Sequence, residues 1–455
     1  MKNNTIDLTQ GSVPRTLLRF AWPMVLANMM QSVYGIVDLL IVGQFVGKEG
    51  LAGVSSAGSV INLILMLGIG FALGGQILIA QYSGMGAKDQ LERTYGVLIT
   101  FLVLIGVVFT AFGLVLREPL LGLINTPIES VKDARTYYTI CMSGTIFIYL
   151  YNAICSGLRG MGDSKRPMIF VGVSCVMNII LDLVFVAFFR WGAAGAAAAT
   201  IGSQFVACIS SAVYLFARQR SFGLHFSFKT FVPSRNRLGL LIRTGVPCAL
   251  QSSVIDVGSV LLMSIINSFG VDASAGYSVG GRVGGMLSIP LFGICDAAST
   301  MASQNFGAKN FERMRKGVYW SLGLAGGYAL ALALLLQIPG IGETLIKVFN
   351  TDPGVVELGS AYLRIFAFGF VGIAVLCSFT TVSNGSGNTQ ITMIANVMDG
   401  LVGKLGLAVL IVYVLHQGII SVFVGAAISP WLGVLVAGIY FLSGHWKKFQ
   451  RKEEA

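Results

Sequence analysis

The amino-acid sequence predicts an all-α integral membrane protein whose twelve transmembrane helices form two pseudo-symmetric six-helix bundles. Of the 455 residues, 11% are charged and 55% are hydrophobic, whereas a soluble domain carries about 25% charged residues. The apolar runs have the length of about twenty residues that a membrane-spanning helix needs, and they lack the alternation of barrel strands. Short motifs also recur at a nearly constant spacing, close to half the chain.

Six apolar runs in the N-terminal half are long enough to cross a membrane. Pro23 lies one or two turns into the first run, where proline can kink a helix, and it is a hinge candidate. The sixth run opens with the small-residue stretch 193–200, which lets neighbouring helices approach closely. The predicted helices lie near 16–41, 51–80, 95–116, 137–158, 167–189 and 192–217.

Six further runs repeat this arrangement in the C-terminal half. Pro247 lies near the start of the seventh run, as Pro23 does in the first, and it is the second hinge candidate. The predicted helices lie near 240–268, 275–303, 317–338, 360–383, 390–415 and 419–443.

Motif matches between the halves indicate an internal duplication with offsets of 220 to 225 residues. Six is an even number of helices, so both copies start on the same side and should be related by an axis along the membrane normal. The predicted division is an N-terminal bundle (1–217), a cytoplasmic linker (218–239) and a C-terminal bundle with a basic tail (240–455). The matched segments are Arg19–Pro23 with Arg243–Pro247, Gln81–Gly84 with Gln304–Gly307, Glu92-Arg93 with Glu312-Arg313, and Gly160–Asp163 with Gly385–Asn388.

The distribution of Lys and Arg predicts the orientation. Twelve helices put both termini on one side, and that side carries 22 of the 31 basic residues, against 7 on the other side and 2 within helices. Basic loops stay in the cytoplasm, so both termini are expected on the cytoplasmic side. The membrane is expected to be the cell (inner) membrane. The net charge of +11 reflects this topology, and no nucleic-acid partner is expected.

Several function classes lack their motifs in this sequence. No GxxxxGK[ST] loop is present, so transport should need no ATPase subunit. The seven cysteines lie within apolar runs, and the three histidines lack metal-ligand spacing, so neither a cofactor nor a metal site is expected. The sequence has no nucleophile–base pair of the kind that would indicate an enzyme. An intramembrane enzyme or a channel is an open but less favoured alternative.

Two carboxylates in the N-terminal half are the main candidates for chemistry. Gln31, Tyr34 and Asp38 form a polar stripe at helical spacing, and Asn178 and Asp182 share a face of the fifth helix. Carboxylates within a membrane usually mark ion or substrate paths. No cation lies within the helices of this half, so the pair should titrate together and attract a proton, a sodium ion or a cationic compound.

The C-terminal half has acids and cations together. Its five intramembrane charges sum to −1, which favours a structural polar network over a transport site. Asp399 is left without an assigned role, and the network candidates are Asp256, Arg282, Asp296 and Lys404.

The sequence resembles the multidrug and toxic compound extrusion (MATE) family, in particular its DinF-like branch, over about residues 14–440. The resemblance implies two six-helix bundles forming a V. It also implies proton or cation coupling by Asp38, Asn178, Asp182 and Thr200, with Gln31, Tyr34 and Asn152 lining the site. The motifs that carry the resemblance are Gln31-Ser-Val-Tyr-Gly-Ile-Val-Asp38, Ala80-Gln-Tyr-Ser-Gly84, Gly157-Leu-Arg-Gly-Met-Gly-Asp163, Asn178-Ile-Ile-Leu-Asp182 and Gly270–Arg282.

The function implied is a secondary antiporter that exports cationic or amphipathic compounds in exchange for H⁺, with Na⁺ at Asp38 and Asp182 as the alternative ion. Its expected partners are these small molecules and membrane lipid. A lipid-linked oligosaccharide flippase of the same superfamily is the alternative function. The acid-rich N-terminal half argues against a pyrophosphate-binding cleft.

Overall fold

The computed structural model describes residues 5–123 and 127–449, apart from the side chains of Leu123, Ser252 and Asp256. This part of the chain folds into helices and contains no β-strand. Eleven of the helices are long and apolar enough to cross a membrane, and one pair of shorter helices, bent by 44° at their junction, makes the twelfth span. The twelve-helix prediction is therefore confirmed.

The N-terminal half contains eight of the α-helices. Its fourth span is the bent pair, because the chain breaks at Gly144 between two shorter helices. The helices are α1 (Val13–Phe45), α2 (Gly47–Met85), α3 (Lys88–Val115), α4 (Arg117–Leu123), α5 (Val131–Ser143), α6 (Thr145–Gly160), α7 (Lys165–Asp182) and α8 (Gly192–Arg218).

The C-terminal half repeats the pattern, including a short helix between its third and fourth spans. The helices are α9 (Arg235–Asn267), α10 (Val271–Gly307), α11 (Phe311–Gln337), α12 (Ile341–Lys347), α13 (Pro353–Ser386), α14 (Thr389–Val397), α15 (Leu407–Val409) and α16 (Ile419–Ser443).

The fifth span of each half changes from α- to π-helical geometry, which the sequence did not indicate. In the first half Leu183–Phe188 continues α7 as a π-helix. In the second half Met398–Gly406 and Leu410–Val414 are π-helical on either side of α15. A π-helical segment inserts an extra residue into the turn and often marks a functional site.

The chain forms two compact units that do not follow the linear division at residues 218–239. Of the described residues, unit 1 contains 5–6, 26–123 and 127–249, and unit 2 contains 7–25 and 250–449. The first parts of α1 and α9 therefore belong to the unit formed by the other half of the chain. Both divisions fall two residues after a hinge candidate, Pro23 or Pro247.

Glycines allow these exchanged helix segments to pack closely within each unit. A Cβ atom on Gly70 of α2 would lie 2.3 Å from the Cα of Ala249, and one on Gly293 of α10 would lie 2.5 Å from Val25. Such distances are shorter than any van der Waals contact, so only glycine fits. The two pairs are separated by nearly the same offset as the sequence repeats.

The linker is part of unit 1 and packs against its helix α3. The Glu92 carboxylate accepts hydrogen bonds from the His225 backbone N–H (2.6 Å) and the Thr230 hydroxyl (3.2 Å), and Thr100 donates to the Phe231 carbonyl (2.8 Å). The Phe226 ring lies edge-on to Tyr95 on α3. These contacts fix the course of the chain before α9 begins.

Candidate functional site

The two predicted carboxylates of the N-terminal half meet in unit 1. The side chains of Asp38 on α1 and Asp182 at the end of α7 lie close to each other. Asp182 is 0% exposed and Asn178, one turn earlier, is 1% exposed. Asp182 also directly precedes the π-helical segment, so the change of helical geometry begins at the carboxylate.

These three side chains hold buried polar atoms that have no hydrogen-bond partner. They are Asp38 Oδ1, both carboxylate oxygens of Asp182, and the amide nitrogen and oxygen of Asn178. Within residues 5–123 and 127–449, no Lys or Arg pairs with either acid. Two ionised carboxylates at this separation repel strongly in a medium of low dielectric constant, so the pair needs a proton or a cation between its oxygens.

A small cavity lies between α1, α6, α7 and α8, and two predicted lining residues belong to it. Its water-accessible volume is about 10 Å³. A cavity needs about 10–15 Å³ of such volume to hold one water molecule, so this space has room for a single water at most and is far too small for a drug. Its lining residues are Gln31, Tyr34, Tyr151, Val171, Ser174, Cys175 and Gln204.

Helix α5 contributes two side chains that sequence reasoning missed. The Tyr137 side chain lies close to the predicted site residue Thr200 of α8 and to Asp38. The Cys141 thiol, one turn further along α5, lies close to Tyr137 and to Asp38. No sequence motif marks either residue, because their role depends on which face α5 turns toward α1.

Asn152 takes a different position from the other predicted lining residues. Its amide donates to the Ile148 carbonyl of its own helix at 2.8 Å, and it is not part of the small cavity. Its neighbour Tyr151 lines the cavity instead. Pro23 and Pro247 lie inside α1 and α9, whose helices continue through them.

The structure describes three of the four polar network candidates of the C-terminal half. Arg282 and Asp296 are both exposed and lie fourteen residues apart on α10, a separation of about 21 Å along the axis. Lys404 is half-buried in the π-helical segment. The side chain of Asp256 lies outside the described residues. Asp399 is 5% exposed and accepts a hydrogen bond from the Ser429 hydroxyl at 2.7 Å.

Outside the membrane spans, burial changes the acidity of one repeat residue. Asp163, in the turn between α6 and α7, is 1% exposed, and this burial raises the pKa of its carboxyl. Hydrogen bonds from the Arg166 backbone N–H (3.1 Å) and the Tyr214 hydroxyl (3.3 Å) act in the opposite direction. Across the described part of the chain, no three His, Cys, Asp or Glu residues are placed to hold a metal ion.

Comparison with known proteins agrees with this arrangement. The MatE family model matches residues 23–184 and again 247–410, so each copy of the repeat matches separately. The chain is 29% identical over 444 residues to "Probable multidrug resistance protein YpnP" of Bacillus subtilis, covering 97% of each chain. It is 25% identical over 417 residues to "FAD transporter" of Shewanella oneidensis, covering 90% of each.

The fold also matches solved structures. One described as "Crystal structure of MATE in complex with MaL6" superimposes with a TM-score of 0.92 at 22% identity, over 98% of this chain and 100% of the other. Because the family model covers most of the sequence in two matched halves, this chain belongs to the MATE family of multidrug efflux transporters.

Proposed function

We propose that this chain is a secondary antiporter that exports cationic or amphipathic compounds in exchange for H⁺ or Na⁺ by alternating access. We place it in the cell (inner) membrane with both termini in the cytoplasm. The observation that carries the proposal is the proximity of the half-buried Asp38 to the fully buried Asp182, with no Lys or Arg ion-paired to either acid in the described structure.

The chemistry of the pair favours exchange of one cation for another. A single proton shared between the two carboxyl groups removes the repulsion between them, and so does a sodium ion. Oxygen atoms of Asp38, Asp182, Asn178 and Thr200 are the hard ligands that such an ion prefers. Binding of a coupling ion lowers the negative charge of the site, so a cationic substrate loses affinity when the ion enters.

Helix α1 connects this chemistry to movement. Asp38 lies in the part of α1 that belongs to unit 1, whereas Pro23 lies in the part that belongs to unit 2. In the proposed cycle an ion enters from outside, α1 bends near Pro23, and the substrate leaves. The inward-facing form then releases the ion to the cytoplasm.

The flippase alternative is not favoured. A pyrophosphate group calls for basic side chains, and the membrane-embedded site of unit 1 contains two acids instead. Among the curated relatives, YpnP of Bacillus subtilis is named for multidrug resistance.

The proposal is tested by ethidium uptake into proteoliposomes. An inside-acid pH gradient is applied first, and then an outward Na⁺ gradient at equal pH. Wild type is compared with Asp38→Asn and with Asp399→Asn, which removes a buried acid of unit 2 instead. FAD, named in the Shewanella relative, serves as the anionic comparison substrate.

We expect uptake under one gradient, loss of that uptake in Asp38→Asn, and near-normal uptake in Asp399→Asn. The gradient that drives uptake identifies the coupling ion. Equal uptake by Asp38→Asn and wild type would overturn the carboxylate mechanism. Absence of uptake under both gradients would overturn antiport, and FAD uptake without ethidium uptake would overturn the substrate class.

A further inference from the structure

The duplicated Gln and Glu-Arg motifs have no part in the carboxylate site. In the second copy they place Gln304 and Asn305 at the end of α10 and Arg313 at the start of α11. All three side chains face the segment that precedes α1. This segment, residues 7–12, belongs to unit 2 together with them.

Arg313 binds the backbone of this segment through all three nitrogens of its guanidinium group. Its Nε donates to the Leu8 carbonyl at 3.1 Å, and its two terminal nitrogens donate to the carbonyls of Gln10 (2.6 Å) and Gly11. A planar guanidinium presents donors in a fixed fork. Three carbonyls that converge on one such group define the path of the chain there.

Gln304 and Asn305 hold the same segment from its buried side. Leu8 is 0% exposed; its backbone N–H donates to Gln304 Oε1 at 3.2 Å, and its carbonyl accepts from Asn305 Nδ2 at 3.1 Å. Both backbone groups of a buried residue are thus satisfied by side chains. Ser12 then leads directly into α1 at Val13.

The first copy of the motif makes different contacts with the same dipeptide. There Glu92 holds the linker, while Arg93 forms an exposed ion pair with Asp89 within α3 at 3.1 Å. In the second copy Glu312 forms the equivalent ion pair with Lys316 at 2.7 Å, and the arginine binds the backbone. Arg93 is therefore a matched control for Arg313.

We propose that Arg313, supported by Gln304 and Asn305, is a positioning site that fixes the start of α1, so that α1 moves during transport only beyond Pro23. The chain passes from unit 2 to unit 1 between Val25 and Leu26, and Asp38 lies on the far side of that point. Because the start of α1 is held in place, a displacement of Asp38 must bend α1 and cannot slide the whole helix. This inference rests on the proposed function for its link to transport.

The anchor itself is tested with Leu8→Cys in lipid nanodiscs, where a maleimide reaches both faces of the membrane. The native cysteines lie within helices, six of them buried and Cys377 half-buried, so the chain without Leu8→Cys gives the background. We expect Arg313→Ala to accelerate labelling about tenfold, the factor that one strong hydrogen bond represents. Arg93→Ala should leave the labelling rate unchanged.

Hydrogen–deuterium exchange of the native segment gives a second measurement that does not depend on the cysteine. The Leu8 amide should exchange faster in Arg313→Gln than in wild type, since the released segment exposes it to water. Equal labelling and equal exchange in wild type and the Arg313 variants would overturn the anchor.

Ethidium transport then tests the positioning role. Arg313→Ala should lower the maximal rate about two- to tenfold, as expected for lost hydrogen bonds. The ethidium concentration at half-maximal rate and the pH midpoint should not change, because the carboxylates are untouched. Arg313→Lys should recover only part of the rate, because an ammonium group can donate hydrogen bonds but cannot form the planar fork. The positioning role would be overturned if Arg313→Ala is labelled faster but transports at the wild-type rate, or if its pH midpoint of transport is shifted.

Asp38→Asn separates this inference from the proposed function. It should abolish transport and leave Leu8→Cys labelling at the wild-type rate. If Asp38→Asn transports normally, the carboxylate mechanism fails while the labelling comparison still decides the anchor.

Discussion

The two copies of the repeat retain the same contacts in the turn between their fourth and fifth spans, although one residue has changed its charge. In the first copy the Tyr214 hydroxyl donates to the Asp163 carboxylate at 3.3 Å. In the second copy the Asn388 amide donates to the Tyr440 hydroxyl at 3.2 Å. The geometry survives the exchange of Asp for Asn because tyrosine can donate or accept.

The copies differ in the membrane-embedded part of the fifth span. Both spans turn π-helical beside a buried acid, yet Asp182 lies beside a second acid, whereas Asp399 accepts a hydroxyl hydrogen bond from Ser429. Both oxygens of Asp182 lack a hydrogen-bond partner, and Asp399 has one. Duplication supplied the same backbone twice, and the side chains on neighbouring helices give the two acids different surroundings.

The largest expected effect comes from removing each acid of the fifth spans in turn. Asp182→Asn should abolish coupled transport, because the remaining Asp38 no longer shares a proton or ion with a second carboxylate. Asp399→Asn should change the rate by less than about threefold, the range of a weak neutral hydrogen bond. Ethidium uptake measures both. Similar losses in the two variants would contradict the division of roles between the copies.

A smaller effect on stability is expected in unit 2. Ser429→Ala leaves the buried carboxylate of Asp399 without its hydroxyl donor, at a cost of about 1–3 kcal/mol. Thermal unfolding in detergent should show a lower midpoint. Ser203→Ala is the control, since it removes a hydroxyl that donates to a carbonyl of its own helix, that of Thr200, at 2.8 Å. Equal shifts of the unfolding midpoint in the two variants would show that the hydrogen bond to Asp399 adds no stability beyond that of an ordinary buried serine.

Two adjacent tyrosines of α5 sharpen the description of the coupling site. Tyr137→Phe removes a hydroxyl that lies beside Thr200 and Asp38, and it should slow transport about two- to tenfold, the range of one hydrogen bond of about 0.5–1.5 kcal/mol. Tyr138 is fully buried and its hydroxyl has no partner within the described residues. Tyr138→Phe should therefore leave transport unchanged and slightly raise the unfolding midpoint. A slower Tyr138→Phe variant would place the second tyrosine in the site as well.

The smallest effect on stability is expected in the turn between the fourth and fifth spans, where the two copies make similar contacts. Asp163→Asn installs the residue of the second copy, and its stability should stay within about 1 kcal/mol of wild type, since the amide oxygen still accepts hydrogen bonds. Burial raises the pKa of Asp163 in the folded protein, so the folded state binds a proton up to higher pH than the unfolded state. Wild type therefore loses stability as pH rises above about 4.

The asparagine variant cannot ionise and lacks this loss. Unfolding midpoints of the two proteins should match near pH 4 and separate above it in favour of Asp163→Asn. If the unfolding midpoint of wild type instead rises relative to that of Asp163→Asn as pH increases, the hydrogen bonds to Asp163 outweigh the effect of its burial.

Much of the architecture was predictable from local patterns. Each predicted span coincides with an observed helix or bent pair, which mostly extends a few residues beyond it, because hydrocarbon thickness fixes the length of an apolar run. The proximity of Asp38 and Asp182 was also foreseeable, since both acids lie on polar faces of helices that lack cations. Arg282 and Asp296 show the limit of such reasoning: they share a face, but the length of α10 keeps them apart.

Other features were out of reach of the sequence. Tyr137 and Cys141 sit in an ordinary helical pattern, and only the rotation of α5 brings them to Asp38. The π-helical turns depend on how neighbouring helices pack, because any single helix gains more from α-helical hydrogen bonding. The exchange of the first parts of α1 and α9 between the units has no local signal apart from the prolines.

The sequence by itself determined that this chain has twelve membrane-length spans, is duplicated, and carries two acids within the spans of its first half. Those properties follow from hydrophobic length and from the cost of charge in lipid, which act residue by residue. The tertiary structure decided which acid of the fifth spans lacks a hydrogen-bond partner, which tyrosine of α5 lies beside Asp38, and which arginine holds the start of α1. These outcomes depend on contacts between residues far apart in the chain, whose geometry is fixed only when all the helices pack.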